Sequence, residues 1–162
     1  PAREHRQVTD RTVHANCVIV GTLGLLIRGR AGSGKSALTD CLIEACRARG
    51  NFGVLVADDR VALTAGRNGV LARVPEPIGG KIEVRGFALK DLPHERAARV
   101  HLVVDLKPVE DLERLPETAV GRAELEGLSV PAIACPSHRP DVSLRLIRWA
   151  LREIFPGVPD YI

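Results

Sequence analysis

Eight consecutive residues, Gly29, Arg30, Ala31, Gly32, Ser33, Gly34, Lys35 and Ser36, meet the spacing G-x-x-x-x-G-K-[ST] in full. The chemistry behind the pattern is the grip of a chain on phosphate. Glycines leave backbone N–H groups free to converge on phosphate oxygens, where side chains would obstruct them. Lys35 then carries a point charge to the β- and γ-phosphates, and Ser36 offers a hydroxyl to Mg²⁺. Residues 29–36 therefore read as a phosphate-binding loop for a nucleoside triphosphate.

Phosphoryl transfer also needs a carboxylate at the end of a neighbouring apolar strand, to place the metal or to take the proton of the nucleophile. Two places qualify: V-L-V-A-D-D, which ends in Asp58 and Asp59, and H-L-V-V-D-L, which contains Asp105. The adjacent pair is preferred. Its two carboxylates face different ways, so one can serve as base while the other orients the metal shell or Lys35. Further on, K-I-E-V-R-G puts Glu83 and Arg85 on one face of a strand, since side chains alternate with period two. A metal ligand beside a phosphate clamp would look like this, and so would a surface ion pair. His14 stands just before the first strand, where position alone says little for catalysis.

The elements that must hold these groups follow from apolar spacing. Residues 17–20 and 23–27 are short apolar runs separated by Gly21, which predicts two strands joined by a tight turn. After Lys35, Leu38, Leu42, Ile43, Ala45 and Cys46 recur at helical spacing, with Gly50 where the helix should end. Residues 52–57 are too short a run for a helix and predict a buried strand with the two acids at its carboxyl end. Residues 61–63 and 70–74 predict strands around the turn chemistry of residues 66–69. A Pro/Gly loop is expected at 75–80, with strands at 82–84 and 100–106. Residues 111–126 carry no clear pattern. Leu144, Ile147, Leu151 and Ile154 share one face of a helix that starts after Pro140.

A chain of 162 residues with 45% hydrophobic content suits a single domain, expected over residues 13–156, with a flexible lead-in at 1–12 and a tail at 157–162. The net charge is +3 and the basic residues are dispersed, so neither a nucleic-acid nor a membrane partner is expected. The four cysteines have no metal-binding or C-x-x-C spacing, the first residues are polar, and no long apolar run is present, which together suggest a cytoplasmic protein.

In order and spacing, His14, G-R-A-G-S-G-K-S, L-V-A-D-D-R-V and I-E-V-R-G resemble the catalytic domain of HPr kinase/phosphorylase. The likeness spans roughly His14 to Leu106 and continues more weakly to the last helix. It points to the short, alphaproteobacterial form of the family, consisting of the catalytic domain alone. The resemblance implies an α/β fold, the P-loop kinase domain of the HPr kinase and phosphoenolpyruvate carboxykinase type, with a mixed central β-sheet and flanking helices. It also implies ATP-dependent phosphorylation of a serine on the phosphocarrier HPr, and in many members the reverse phosphorolysis with inorganic phosphate. Carried over by motif, Asp58 is the base, His14, Lys35 and Arg85 are its catalytic neighbours, and Ser36, Glu83 and Asp59 serve Mg²⁺. The longer members have a G-R-N-L-like motif near the carboxyl end. Here the comparable stretch is C-P-S-H-R-P-D, in which Arg139 is the candidate substitute. The family's homo-oligomeric assembly is left open. Two other readings stay beside this one: a small-molecule P-loop kinase, and a nucleotide-dependent regulator that transfers no phosphoryl group.

Overall fold

The computed structural model of the chain describes residues 11–75 and 80–162. After a two-residue strand β1 (Thr12–Val13), the apolar runs on either side of Gly21 form the antiparallel hairpin β2 (Ala15–Val20) and β3 (Leu23–Arg28). The phosphate-binding loop leads from β3 directly into α1 (Lys35–Ala48), and β4 (Gly53–Ala57) returns antiparallel to β2. Strands β5 (Val61–Gly66) and β6 (Gly69–Arg73) make a hairpin, and β7 (Lys81–Val84) and β8 (Ala88–Asp91) a separate two-stranded ribbon. The long β9 (Ala97–Lys107), a 3₁₀ turn at Val109–Asp111, the hairpin β10 (Gly121–Leu125) and β11 (Leu128–Pro136), and α2 (Pro140–Ile154) complete the chain.

The main sheet runs β1-β5-β6-β9-β3-β2-β4, and β11 adds to it by pairing with β9. Three of its strands, β3, β9 and β11, are mutually parallel through the registers Ile27↔Val104 and Cys135↔Leu106. Their carboxyl ends therefore lie along one edge, at Arg28, Lys107 and Pro136. Open α/β sheets place their ligands just beyond that edge.

Both faces of this sheet are buried, which is why β2, β3 and β4 are continuous apolar runs rather than alternating ones. Period-two alternation sends Val18, Leu25, Ile27, Leu102 and Val104 to one face, where Leu38, Leu42 and Ile43 of α1 and Ile147 and Leu151 of α2 cover them. Cys17, Leu26 and Val103 go to the other face. No helix of the described residues packs there. Val61, Leu63, Val70, Ala72 and Val130 cover it, so the curled sheet closes over itself. The fold is thus the expected mixed α/β type, with both helices on one side. Leu42 is fully buried at the centre of the helical layer, where truncation to Ala costs about 2–5 kcal/mol.

The ends of the domain differ from the sequence reading. Thr12, expected in the lead-in, pairs with Ala62, while residues 1–10 lie outside the described residues. Residues 157–162, expected to form a tail, pack onto the body: Ile162 is 1% exposed, and Arg148 Nε donates to its carbonyl at 2.7 Å. A six-residue segment is too short to show periodicity, yet Tyr161 and Ile162 supply enough apolar surface to dock it. The stretch 111–126 contains β10 and only the last residue of the 3₁₀ turn, and the loop expected at 75–80 falls mostly on residues 76–79, outside the described residues.

Candidate active site

The phosphate-binding loop is shaped for an anion. Gly34 sits at φ 97°, a left-handed value that favours glycine, and a Cβ at Gly29 would stand 2.4 Å from Ser33 Oγ. Lys35 is only 6% exposed, and its Nζ donates to the carbonyls of Gly29 and Arg30 at 3.1 Å each. Among the described residues no carboxylate pairs with this ammonium, although a buried charge is costly without a counter-ion. Ser33 Oγ is buried and has no hydrogen-bond partner among the described residues. The first turn of α1 has no acidic residue to neutralise the positive end of the helix dipole. An unpaired cation, an orphaned hydroxyl and a bare helix start converge on one place, and a phosphate chain satisfies all three. Arg30, Ala31 and Gly32 form the solvent-facing crest of the loop.

Beside the loop lies a hydrogen-bonded cluster centred on Asn16, a residue of β2 that is fully buried. Its Nδ2 donates to Asp58 Oδ1 at 2.6 Å and to Thr39 Oγ1 at 3.1 Å, and lies 3.4 Å from Ser36 Oγ. Its Oδ1 accepts the backbone N–H of Asp59 at 2.9 Å, which fixes the orientation of the amide. Ser36 Oγ donates to Asp58 Oδ1 at 2.6 Å, and Thr39 Oγ1 donates to the carbonyl of Lys35 at 2.8 Å. One amide thus ties the start of α1 to the end of β4. Among the described residues Asp58 Oδ2 accepts only the backbone N–H of Glu83, at 3.2 Å, and an ionised carboxylate oxygen has a second lone pair to offer. Sequence reasoning passed over Asn16 and Thr39. The signal for Asn16 was available: it is a polar residue inside an apolar strand, and buried polar groups need partners.

The other expected residues are placed as follows. Asp59, next to Asp58, turns outward at φ 67° and contacts His14 Nε2 rather than Lys35 or Ser36. Its side chain is 66% exposed. Glu83 lies on β7, facing solvent, while its neighbour Ile82 is buried against the core. Arg85 comes after the end of β7, in the turn to β8, so the expectation that Glu83 and Arg85 share one face of a strand does not hold. The strand is only four residues long, and the turn starts where alternation would have set Arg85. Asp105, the competing acid, is bound by Arg28 through a two-pronged bridge at 2.7 and 3.0 Å, which raises the guanidinium pKa through its hydrogen bond to that carboxylate. Arg139 is held likewise by Asp141, at 3.1 and 3.0 Å.

The oxygen donors at the site suit Mg²⁺. The Ser36 hydroxyl and the Asp58 carboxylate are hard ligands, and Mg²⁺ is commonly bound through one or two carboxylates with phosphates and water. Among the described residues no group of three or more His, Cys, Asp and Glu is arranged to hold an ion by itself. Thiol chemistry has no place here: Cys17 and Cys135 are buried, which pushes each pKa up to about 12. No helix of the described residues is long and apolar enough to cross a membrane.

Known proteins resemble this chain in sequence and in fold. A family model, the HPr Serine kinase C-terminal domain, matches residues 6–152. The HPr kinase/phosphorylase of Chloroherpeton thalassium is 31% identical over 137 residues, covering 77% of this chain and 38% of its own length. That of Bordetella pertussis is 37% identical over 116 residues, covering 65% of this chain and 36% of its own. The chain thus spans little more than a third of these curated relatives. The structure of the Hpr(Ser) kinase/phosphatase from Coxiella burnetii superposes with a TM-score of 0.74 and 28% identity, over 89% of this chain and 92% of that one. A match over residues 6–152, joined to a phosphate loop braced by Asn16, Ser36 and Asp58, makes this chain a member of the HPr Serine kinase C-terminal domain family.

Proposed function

We propose that this chain catalyses ATP-dependent phosphorylation of a serine on the phosphocarrier protein HPr. The observation that carries the reading is the Asp58 carboxylate, whose Oδ1 is fixed by Ser36 and Asn16 while Oδ2 keeps a free lone pair beside the phosphate loop. A serine hydroxyl is a poor nucleophile, so a fixed carboxylate in line with the γ-phosphate assists its attack. As the serine oxygen bonds to the γ-phosphorus, its proton passes to Asp58, the bond to the β,γ-bridging oxygen breaks, and ADP leaves. Lys35 and the N–H groups of residues 29–36 hold the phosphate chain. Ser36 and Glu83 would hold Mg²⁺, which would supply positive charge to the phosphate oxygens. His14, paired with Asp59, and Arg85 in the β7–β8 turn would assist at the acceptor and at the phosphates. The four unpaired cysteines suit a reducing cytosol.

The names of the relatives also support the reverse direction, in which inorganic phosphate attacks phosphoserine-HPr to give pyrophosphate and free serine, with Asp58 returning the proton. The test of both is direct. Labelled ATP is incubated with HPr from the same organism and with a panel of small acceptors, and the modified residue is mapped. Label on one HPr serine supports the proposal; label on a small acceptor, or ATP bound without transfer, replaces it. Pyrophosphate release from phosphoserine-HPr and phosphate decides the reverse reaction separately.

A further inference from the structure

Asp105, the acid that the phosphoryl-transfer site leaves unused, lies on β9, the strand beside the one that feeds the phosphate loop. Arg28 and Asp105 are register partners across the parallel strands β3 and β9, and Arg28 grips the carboxylate with Nε at 2.7 Å and Nη2 at 3.0 Å. Gly29, where the loop begins, follows Arg28 directly. We propose that this bridge positions the loop: it anchors the root of residues 29–36 to β9 and so holds the phosphate-binding shape before a ligand arrives. The inference rests on the phosphate-loop reading and assigns a part in it to side chains that lie outside the loop.

Three observations carry it. The first is where the bridge stands. Ile27 and Val104 pack beneath the helices, whereas Leu26 and Val103 face the other way. Period-two alternation therefore sends Arg28 and Asp105 to the face away from α1. With Nε and Nη2 committed to Asp105, the guanidinium acts on the loop through the chain. The second is the firmness of the anchor. At Asp105, β9 is paired on both sides, with Arg28 of β3 and with Ala134 of β11. A two-pronged bridge fixes direction as well as distance, which a lysine in place of the arginine cannot do. The pair is also less exposed than the surface bridges Lys81–Asp91 and Arg139–Asp141, and exposed pairs contribute little. The third is what hangs on the root of the loop. Gly29 runs so close to β9 that a Cβ on it would stand 3.0 Å from the Cβ of Leu106, the residue after Asp105. The carbonyls of Gly29 and Arg30 hold Lys35 Nζ at 3.1 Å each, and the Arg30 carbonyl also accepts the N–H of Ser33 at 3.0 Å. A shift of Arg28 along β9 is therefore passed to the lysine and to the turn of the loop. Donors already in place bind without a cost of ordering at the moment of contact.

The test is a calorimetric titration of inorganic tripolyphosphate with Mg²⁺ into wild type, Asp105→Ala, Arg28→Lys and Lys35→Ala, at a temperature where circular dichroism shows each protein folded. Charge alone and positioning predict opposite signs for Asp105→Ala. Removing a carboxylate near a polyanion relieves repulsion and tightens binding, whereas freeing the root of the loop weakens it. Affinity should fall about tenfold in Asp105→Ala and about threefold in Arg28→Lys, which keeps the charge and loses the fork. Amide hydrogen exchange at Ser33 should quicken in both. Unchanged or tighter binding by Asp105→Ala, or Ser33 exchange as slow as in wild type, overturns the inference and leaves the bridge a support of the sheet alone. Should Asp105→Ala fail to fold, Arg28→Lys decides by the same readouts. A wild type that binds no tripolyphosphate, or binding unaffected by Lys35→Ala, overturns the phosphate-loop reading itself and this inference with it.

Discussion

The Asn16 cluster and the β7–β8 ribbon both reach Asp58, and they do so by opposite means. Asn16 is fully buried and holds Asp58 by a side-chain bond of 2.6 Å, in a web that includes Ser36, Thr39 and the N–H of Asp59. The ribbon offers one backbone N–H at 3.2 Å, and apart from Ile82 and Val84 its residues are exposed, including Phe87 at 75% and Leu89 at 63%. The buried side fixes Asp58 and residues 29–36 relative to each other before any ligand arrives. The ribbon side is attached loosely enough to adjust when metal and acceptor are in place. Preorganisation and adaptability are thus assigned to separate parts of one site.

Substitution distinguishes the two sides. The largest effect is expected from Asn16→Asp, which sets a second carboxylate against Asp58 and removes the donors to Asp58 and Thr39. Folding stability should fall by about 3 kcal/mol or more, read as a lower urea midpoint at unchanged slope. An Asn16→Asp protein as stable as wild type would break the comparison. Lys35→Ala comes next. Loss of a charged hydrogen-bonding partner should weaken ATP binding by about 10- to 100-fold by calorimetry. Because Lys35 is a buried cation without a carboxylate partner among the described residues, Lys35→Met should leave the melting temperature unchanged or raise it. Glu83→Gln should raise the Mg²⁺ concentration for half-maximal transfer by about tenfold without changing stability, since it belongs to the loosely held side. Smallest of all, Phe87→Ser or Leu89→Ser should shift stability by less than about 0.5 kcal/mol. A larger loss would mean that the ribbon is packed as firmly as the Asn16 cluster.

Residues 29–36 and the strand-loop-helix unit around them were legible because the chemistry of phosphate binding restricts residue type at almost every position. The pair Asp58 and Asp59 was legible as a unit, and their division of orientation was expected. Which acid faces which partner depends on the positive φ of Asp59 and on Asn16, a residue 42 positions before Asp58. Long-range hydrogen bonds of this kind leave no local pattern. Strand β8 was missed because all four of its residues are exposed, so no alternation marks it. Strand β10 falls in a stretch where polar and apolar residues mix, and its place is set by pairing with β11 rather than by propensity. The docked carboxyl end and the single helical face of the sheet are likewise tertiary outcomes.

The most direct test of the central claim is phosphotransfer by Asp58→Asn. This change keeps the size of the side chain and its acceptor for Ser36, and removes the group that takes the serine proton. Formation of phosphoserine-HPr from ATP should fall by about 100- to 10,000-fold, while calorimetry gives an ATP affinity close to wild type. An Asp58→Asn protein that binds ATP and still phosphorylates HPr at a rate near wild type would contradict the assignment and move the base elsewhere, with Asp59 the next residue to examine.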